Sequence, residues 1–346
     1  MPHVNAWGVA AEGQQVGPLQ IERREPGPHD VVLDIDYCGV CHSDIHTARA
    51  EWGKPMYPVV TGHEIVGRVS AVGCAVTKFS VGDLAGVGVI VDSCRECEAC
   101  TAGFENYCMG QSVGTYNSKE LGTGATTYGG YSTSIVTDER FTFSIPSNLD
   151  PAAVAPLLCA GITLWSPLRH WNAGPGKRVA IMGMGGLGHM GVKLAHALGA
   201  HVTVLSHSDR KREDALRLGA SEFVVTSDEA AMTLMRGSFD LILNTVSADL
   251  DVNVFLKLLK WNGTMVALGL PGKPMQVQAG SLMDKRRSLS ASGIGGLTET
   301  QEMLDFCGQH GIVSEIERIA PSQINEAWDR VVASDVKYRF VIDIKA

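Results

Sequence analysis

Four cysteines crowd into fifteen residues as Cys94-x2-Cys97-x2-Cys100-x7-Cys108. CxxC spacing lets two sulfurs converge on one ion. Four thiolates close a tetrahedral shell around zinc and leave no place for water, so the expected ion is structural. Four buried or free thiols, or a nucleic-acid-binding zinc ribbon, are the other readings of such a loop; an acidic chain speaks against the ribbon. A second donor set is dispersed. Cys41 stands in Gly39-Val40-Cys41-His42-Ser43-Asp44, His63 in Gly62-His63-Glu64, and Cys159 in Leu157-Leu158-Cys159-Ala160-Gly161. Two thiolates and one imidazole leave one position open, as a catalytic zinc requires, and that position takes water or a substrate oxygen. Taken singly, each of the three is equally an ordinary buried residue. Asp44 and Glu64 adjoin the candidate ligands and could orient them, or be plain loop charges.

The third signal is Gly183-Met184-Gly185-Gly186-Leu187-Gly188. It follows an apolar strand expected at residues 179–182 and opens a helix expected at 187–198, the context in which GxGxxG binds a dinucleotide. The glycines permit a tight turn and let a pyrophosphate approach the helix N-terminus. The end of the next strand, expected at 202–205, selects the cofactor. An acid there would bond the ribose hydroxyls of NAD. This chain has Ser206, His207 and Ser208, followed by Asp209, Arg210 and Lys211. A hydroxyl at the strand end with two cations close behind suits a 2′-phosphate, and so NADP(H). Asp209 dissents, three residues late; residues 209–212 also fit the charged first turn of a helix.

These groups need rigid elements to position them. At 346 residues the chain suits about two domains. Its 45% hydrophobic and 19% charged residues describe a packed globular protein. Residues 1–145 are punctuated by Gly and Pro, and Val31-Val32-Leu33-Asp34-Ile35-Asp36-Tyr37 alternates as a half-buried strand does. From residue 177 strands and helices alternate, with further strands expected at 223–225, 241–243 and 265–268 and helices at 210–218 and 252–259. That pattern means a parallel sheet with crossover helices. The tail holds two more helices and a closing strand at 338–344.

Net charge is −8, from 37 acids and 29 bases. No dense basic face is present, which excludes nucleic acid as a partner. The longest apolar stretch, residues 84–91, is far short of the ~20 residues that span a bilayer, so no membrane partner is expected. No secretory leader pattern is visible. With nine cysteines, an odd number, thiolate chemistry in the cytoplasm is the expectation.

Taken together, GVCHSD, GHEIVG, the four-cysteine loop, PLLCAGIT, GMGGLG and the late KYRFVIDI strand resemble the zinc-dependent medium-chain alcohol dehydrogenases. The likeness spans essentially the whole chain and is nearest to the cinnamyl-alcohol-dehydrogenase-like, NADPH-dependent aldehyde reductase branch. It implies an α/β protein with a GroES-like, β-rich catalytic domain from residues 1–149 and 296–346. A doubly wound Rossmann domain that binds NADP, residues 150–295, is inserted between them. It implies two zinc ions per chain, the catalytic one on Cys41, His63 and Cys159 with Glu64 able to enter the shell, the structural one on the four-cysteine loop. Ser43 stands where a threonine is common and keeps the hydroxyl of the proton relay; His46 matches its outer acceptor. Thr163, Thr245, Gly269, Ser292, Gly293 and Ile294 match positions lining the cofactor, and His42 one facing the pyrophosphate. Trp52 and Tyr116 fall where the substrate pocket is lined. The implied reaction is reduction of aromatic and aliphatic aldehydes to primary alcohols by NADPH, and the reverse, in a homodimer.

Three rivals remain in view. A zinc-free quinone or enone reductase would not need Cys41, His63 and Cys159 together. An NAD-dependent alcohol or polyol dehydrogenase would use Asp209 for the ribose, and polyol enzymes commonly carry a carboxylate as third ligand. A non-catalytic NADP-binding sensor would have no use for an intact relay. Cys38, Cys74 and Cys307 are left without a role, with burial as the default.

Overall fold

The computed structural model describes residues 3–346. The chain divides into two compact units, one of Met1–Cys159 with Gly295–Ala346, the other of Ala160–Ile294. The first division falls ten residues later than the boundary expected after residue 149. The segment Pro151–Leu158 packs against the strands Asp30–Gly39 and Ile65–Val72 and belongs to the first unit.

A seven-stranded sheet organises the first unit. Its order is Ile316–Ile319, Arg339–Asp343, Asp30–Gly39, Ile65–Val72, Leu84–Val87, Thr142–Ser144, and Ser134–Asp138 also pairs with Asp30–Gly39. The ten-residue strand Asp30–Gly39 is the axis. It runs antiparallel to Ile65–Val72 with Cys38 opposite Ile65, and antiparallel to Arg339–Asp343 with Gly39 opposite Val341. This register carries Cys41, just past one strand end, to His63 and Glu64, just before the next strand begins. Val31, Leu33, Ile35, Ile65, Tyr131 and Phe340 fill the core on this sheet. Helix Ile324–Val332 covers it with Ile324, Ala327, Trp328 and Val331, spaced as one face of a 3.6-residue helix. The sequence pattern missed the short strand Ile316–Ile319 beside the expected closing strand.

The second unit is a six-stranded, wholly parallel sheet: β1 (Arg178–Met182), β2 (His201–Ser206), β3 (Glu222–Val225), β4 (Phe239–Asn244), β5 (Leu259–Ala267) and β6 (Ser288–Ala291). The order is β3-β2-β1-β4-β5-β6, the doubly wound Rossmann arrangement. β1 is buried from Val179 to Met182, as helices on both faces demand. Several elements differ from the sequence pattern. The helix expected at 210–218 begins as a 3-10 turn, Asp209–Lys211, and becomes α-helical over Arg212–Arg217. The helix expected at 252–259 ends at Leu256, because β5 starts at Leu259 and not at residue 265. β6 and helix Ala160–His170 gave no periodic signal; β6 is the polar run Ser-Leu-Ser-Ala, and the helix is buried on nearly every side and carries Pro167.

Candidate functional site

Helix His42–Ala48 begins at Cys41, whose backbone N–H is bonded by Asp44 Oδ2 at 2.9 Å. Asp44 is fully buried and spends both oxygens. Oδ2 also accepts from the Tyr131 hydroxyl at 3.1 Å; Oδ1 accepts from Gly62 N at 3.0 Å and stands 3.5 Å from His63 Nδ1. A carboxylate on Nδ1 directs Nε2 toward the thiols, the outer-shell arrangement that orients metal-binding imidazoles. Cys159, at the end of the 3-10 turn Ala155–Leu158, places its sulfur 4.0 Å from that of Cys41. Ligand atoms of Cys41, His63, Glu64 and Cys159 all lie within 4.8 Å of one another.

The chemistry of this set fits a cation. His63 Nε2 and Glu64 Oε2 are buried without a hydrogen-bond partner, a cost that a bound ion would remove. The neighbouring Cys159 draws the Cys41 thiol well below its usual range, and burial opposes this. Burial disfavours the imidazolium of His63, but Asp44 and Cys41 outweigh it and raise its pKa to about 9. Burial lifts Glu64 to about 7 against the pull of Arg339, whose guanidinium donates to Glu64 Oε1. Gly39 permits this arrangement: a Cβ there would stand 1.9 Å from Glu64 Oε2. Sequence reasoning gave Arg339 no role; the signal was a charged residue leading directly into the apolar run Phe340-Val341-Ile342.

Around this set, the Ser43 hydroxyl lies 3.6 Å from the Cys41 sulfur. The Tyr116 ring stacks on His63 at 5.6 Å, Trp52 on His46 at 4.8 Å, and His42 on His46 at 5.7 Å. Every residue expected at the catalytic centre therefore belongs to the first unit, and so does His42.

The four-cysteine loop projects between two short paired strands, Ile90–Asp92 and Val113–Gly114. Its four sulfurs lie within 4.8 Å of one another. Backbone amides of Cys100 and Met109 lower Cys97 to about 6, Met109 N–H donating to its sulfur at 3.3 Å, and Cys94 N–H donates to Cys108 Sγ at 3.4 Å. Amides aimed at sulfur are the second shell of a thiolate–metal site. Of the three remaining cysteines, Cys38 and Cys307 are buried as expected, but Cys74 is exposed, because it lies in the turn after strand Ile65–Val72.

In the second unit the expected cofactor residues gather at the carboxyl edge of the sheet. Gly183 follows β1, Ser206 ends β2, Thr245 follows β4, Gly269 lies beyond β5, and Ser292, Gly293 and Ile294 follow β6. β1 and β4 are neighbours, and between them the strand order reverses, which is where such folds bind nucleotides. Gly183 takes φ +88°, and a Cβ on Gly188 would stand 2.0 Å from the Gly183 carbonyl oxygen, so the turn admits only glycine at 188; Gly185 faces open space. The Thr245 hydroxyl donates to Met182 O at 2.7 Å and Lys211 Nζ to Met184 O at 2.9 Å, so both brace the glycine turn. Thr163 is buried in helix Ala160–His170. His207 and Arg210 are exposed, and Ser208 is half-buried.

Asp209 faces Arg212. Arg212 Nε donates to its Oδ1 at 2.6 Å, another guanidinium nitrogen to Phe223 O at 3.0 Å, and the guanidinium lies 4.8 Å over the Phe223 ring. The acid nearest the strand end is thus held by its own helix turn, and Ser206, Arg210 and Lys211 are left as the groups suited to a 2′-phosphate.

Residues 27–147 match the model of the alcohol dehydrogenase GroES-like domain, and residues 186–309 that of the zinc-binding dehydrogenases. The chain belongs to the zinc-binding alcohol dehydrogenase family. Among relatives in this family, the NADP-dependent alcohol dehydrogenase C 1 of Mycolicibacterium smegmatis is 58% identical, over 99% of this chain and 98% of that one. The aldehyde reductase YahK of Escherichia coli is 54% identical, over 98% of each. The structure of a cinnamyl alcohol dehydrogenase from Sorghum bicolor superposes with a TM-score of 0.96 at 42% identity, covering 100% of this chain and 98% of that one.

Proposed function

We propose that this alcohol dehydrogenase reduces aldehydes to primary alcohols with NADPH, and oxidises the alcohols by the same path in reverse. The observation that carries the reading is the buried set of Cys41, His63 and Cys159 with an unpartnered Nε2 and a serine hydroxyl alongside. The three would hold the catalytic zinc, and Cys94, Cys97, Cys100 and Cys108 the structural one. When bound, zinc supplies a Lewis acid for the carbonyl oxygen and NADPH supplies the hydride.

The chain does the rest. Asp44 holds the His63 ring, Ser43 donates the proton that the new alcohol needs, and His46 replaces it from solvent at the outer end of the path. Tyr116 and Trp52 present flat aromatic surfaces beside His63 and His46, suited to aromatic and aliphatic aldehydes alike. His42, Thr163, Thr245, Gly269 and residues 292–294 serve the cofactor. The Asp209–Arg212 pair favours NADPH over the NAD-dependent alternative.

We read the functional form as a cytoplasmic homodimer. None of the nine cysteines is paired in a disulfide, as a reducing compartment keeps them. Among the described residues no single helix is long and apolar enough to cross a membrane. The second unit exposes Leu270, Met275, Val277 and Met283 and ends its sheet on the strand β6, surfaces that a second copy would cover. Light scattering should return twice 36.9 kDa.

A steady-state assay of NADPH oxidation against a panel of aromatic and aliphatic aldehydes tests the reaction. Turnover with several aldehydes is expected. No turnover with any, in protein carrying its full zinc complement, would leave the sensor reading in its place.

A further inference from the structure

The partners of Asp44 come from three separate parts of the chain. Cys41 N–H, Gly62 N–H and His63 Nδ1 belong to the two loops that carry candidate ligands. The Tyr131 hydroxyl, 3.1 Å from Oδ2, comes instead from the segment leading into strand Ser134–Asp138. Phenol and carboxylate are both fully buried, so neither can exchange this bond for one to solvent. The segment is fixed on two sides. Gly129, Gly130 and Tyr131 donate their amides to the carbonyls of Val60, Gly62 and Thr61, which lead into His63, at 2.8, 2.8 and 3.0 Å. Gly62 takes φ +100°, and a Cβ there would stand 2.6 Å from the Tyr131 ring, so glycine makes the room in which the phenol lies. On the other side the buried Arg23 guanidinium donates to the carbonyls of Tyr128, Gly129 and Ser134 and to the Ser132 hydroxyl. Backbone pairing and guanidinium together determine where the Tyr131 hydroxyl stands.

We propose that Tyr131 is a positioning residue of the catalytic metal site, its hydroxyl locking the rotamer of Asp44 that keeps Oδ1 on His63 Nδ1 and so points Nε2 at the ion. The proposal rests on the reading of Cys41, His63 and Cys159 as zinc ligands. The other bonds to Asp44 join it to the loops it has to hold, whereas the Tyr131 bond refers it to a segment that Arg23 clamps independently. Without the hydroxyl, Oδ2 loses its O–H donor in a pocket closed to solvent, and the carboxylate is free to turn about its side-chain torsions and release the imidazole. Arg23 thereby acts on the metal site from outside it, through Tyr131 and Asp44.

Tyr131→Phe removes the oxygen and leaves the ring, so the core stays filled, which near-ultraviolet circular dichroism checks. Zinc-loaded protein is titrated with a chromophoric zinc chelator, and the two ions are told apart in Cys97→Ser and Cys159→Ala proteins. In Tyr131→Phe the zinc on Cys41, His63 and Cys159 should be held about tenfold less tightly, the lower end of what outer partners of metal ligands contribute. The zinc on the four-cysteine loop should be released as in the native chain, and NADPH affinity should be unchanged. Asp44→Asn supplies a second arm. It should weaken the same zinc, and adding Tyr131→Phe should then cost little more, because the hydroxyl acts through the carboxylate. Catalytic zinc held as tightly by Tyr131→Phe as by the native chain overturns the proposal. Equal weakening of both ions, or losses that multiply in the double variant, would show a general effect of packing and overturn it as well. A native chain that holds no zinc on Cys41, His63 and Cys159 would defeat the ligand reading itself, and the proposal with it.

Discussion

Ser43 and Cys41 are two positions apart on one helix turn, and the hydroxyl lies 3.6 Å from the sulfur. This closeness to the donor set suits Ser43 to pass a proton. Ser43→Ala should therefore cut kcat by about 100- to 10,000-fold, the range for a general acid–base group, with NADPH affinity preserved in a fluorescence titration. Near-normal turnover would route the proton elsewhere. The Asp209–Arg212 pair is exposed and worth little to stability, but it decides where a negative charge points. Arg212→Ala should release Asp209 toward the ribose and lower the NADPH:NADH ratio of kcat/KM several-fold. Ser206→Asp with Arg210→Ala should collapse that ratio, because the native preference expected from charge-assisted bonds of about 1.5–3 kcal/mol each is tens- to hundreds-fold. Equal use of NADH by the native chain would make Asp209 the ribose acid.

The four-cysteine loop and the segment Ala155–Cys159 use the same donor atom in different settings. The loop stands on a separate two-stranded sheet, with amides aimed at its sulfurs. Metal there contributes folding energy directly. Cys97→Ser should bring metal content from two zinc ions per chain to one and lower Tm. Cys159→Ala should also remove one zinc, abolish turnover and leave Tm much closer to native, since the strands and core side chains around it already hold this part of the first unit. Elemental analysis and calorimetry on the same preparations separate the two cases. Equal Tm losses would mean that the roles are not divided.

At the scale of the whole chain, strand Arg339–Asp343 completes the first unit 275 positions after Glu64. It pairs with Asp30–Gly39 and delivers Arg339 to Glu64, both essentially excluded from solvent. Removing one partner of a buried ion pair strands the other, at a cost of about 3–5 kcal/mol. Arg339→Met should accordingly lower the urea midpoint with an unchanged slope, and Glu64→Gln in the same background should recover part of the loss by neutralising the stranded acid. A variant as stable as the native chain would show that the pair contributes nothing net.

Donor types and turn chemistry were determined locally, and that is why they could be read from residue order alone. CxxCxxC spacing makes a chelate by itself, GMGGLG after an apolar strand makes a phosphate turn by itself, and an alternation of strands and helices implies a parallel sheet. Sequence order carries no information about what faces what across hundreds of residues. The convergence of Cys41, His63 and Cys159 comes from the antiparallel register of Asp30–Gly39 with Ile65–Val72 and from the turn Ala155–Leu158 packed against it. Arg339 behind Glu64, Asp44 divided among four partners and Arg212 on Asp209 are side-chain pairings. A charged residue in a sequence signals that a partner is needed, and only the packed backbone brings one carboxylate or guanidinium, and not another, within hydrogen-bond reach.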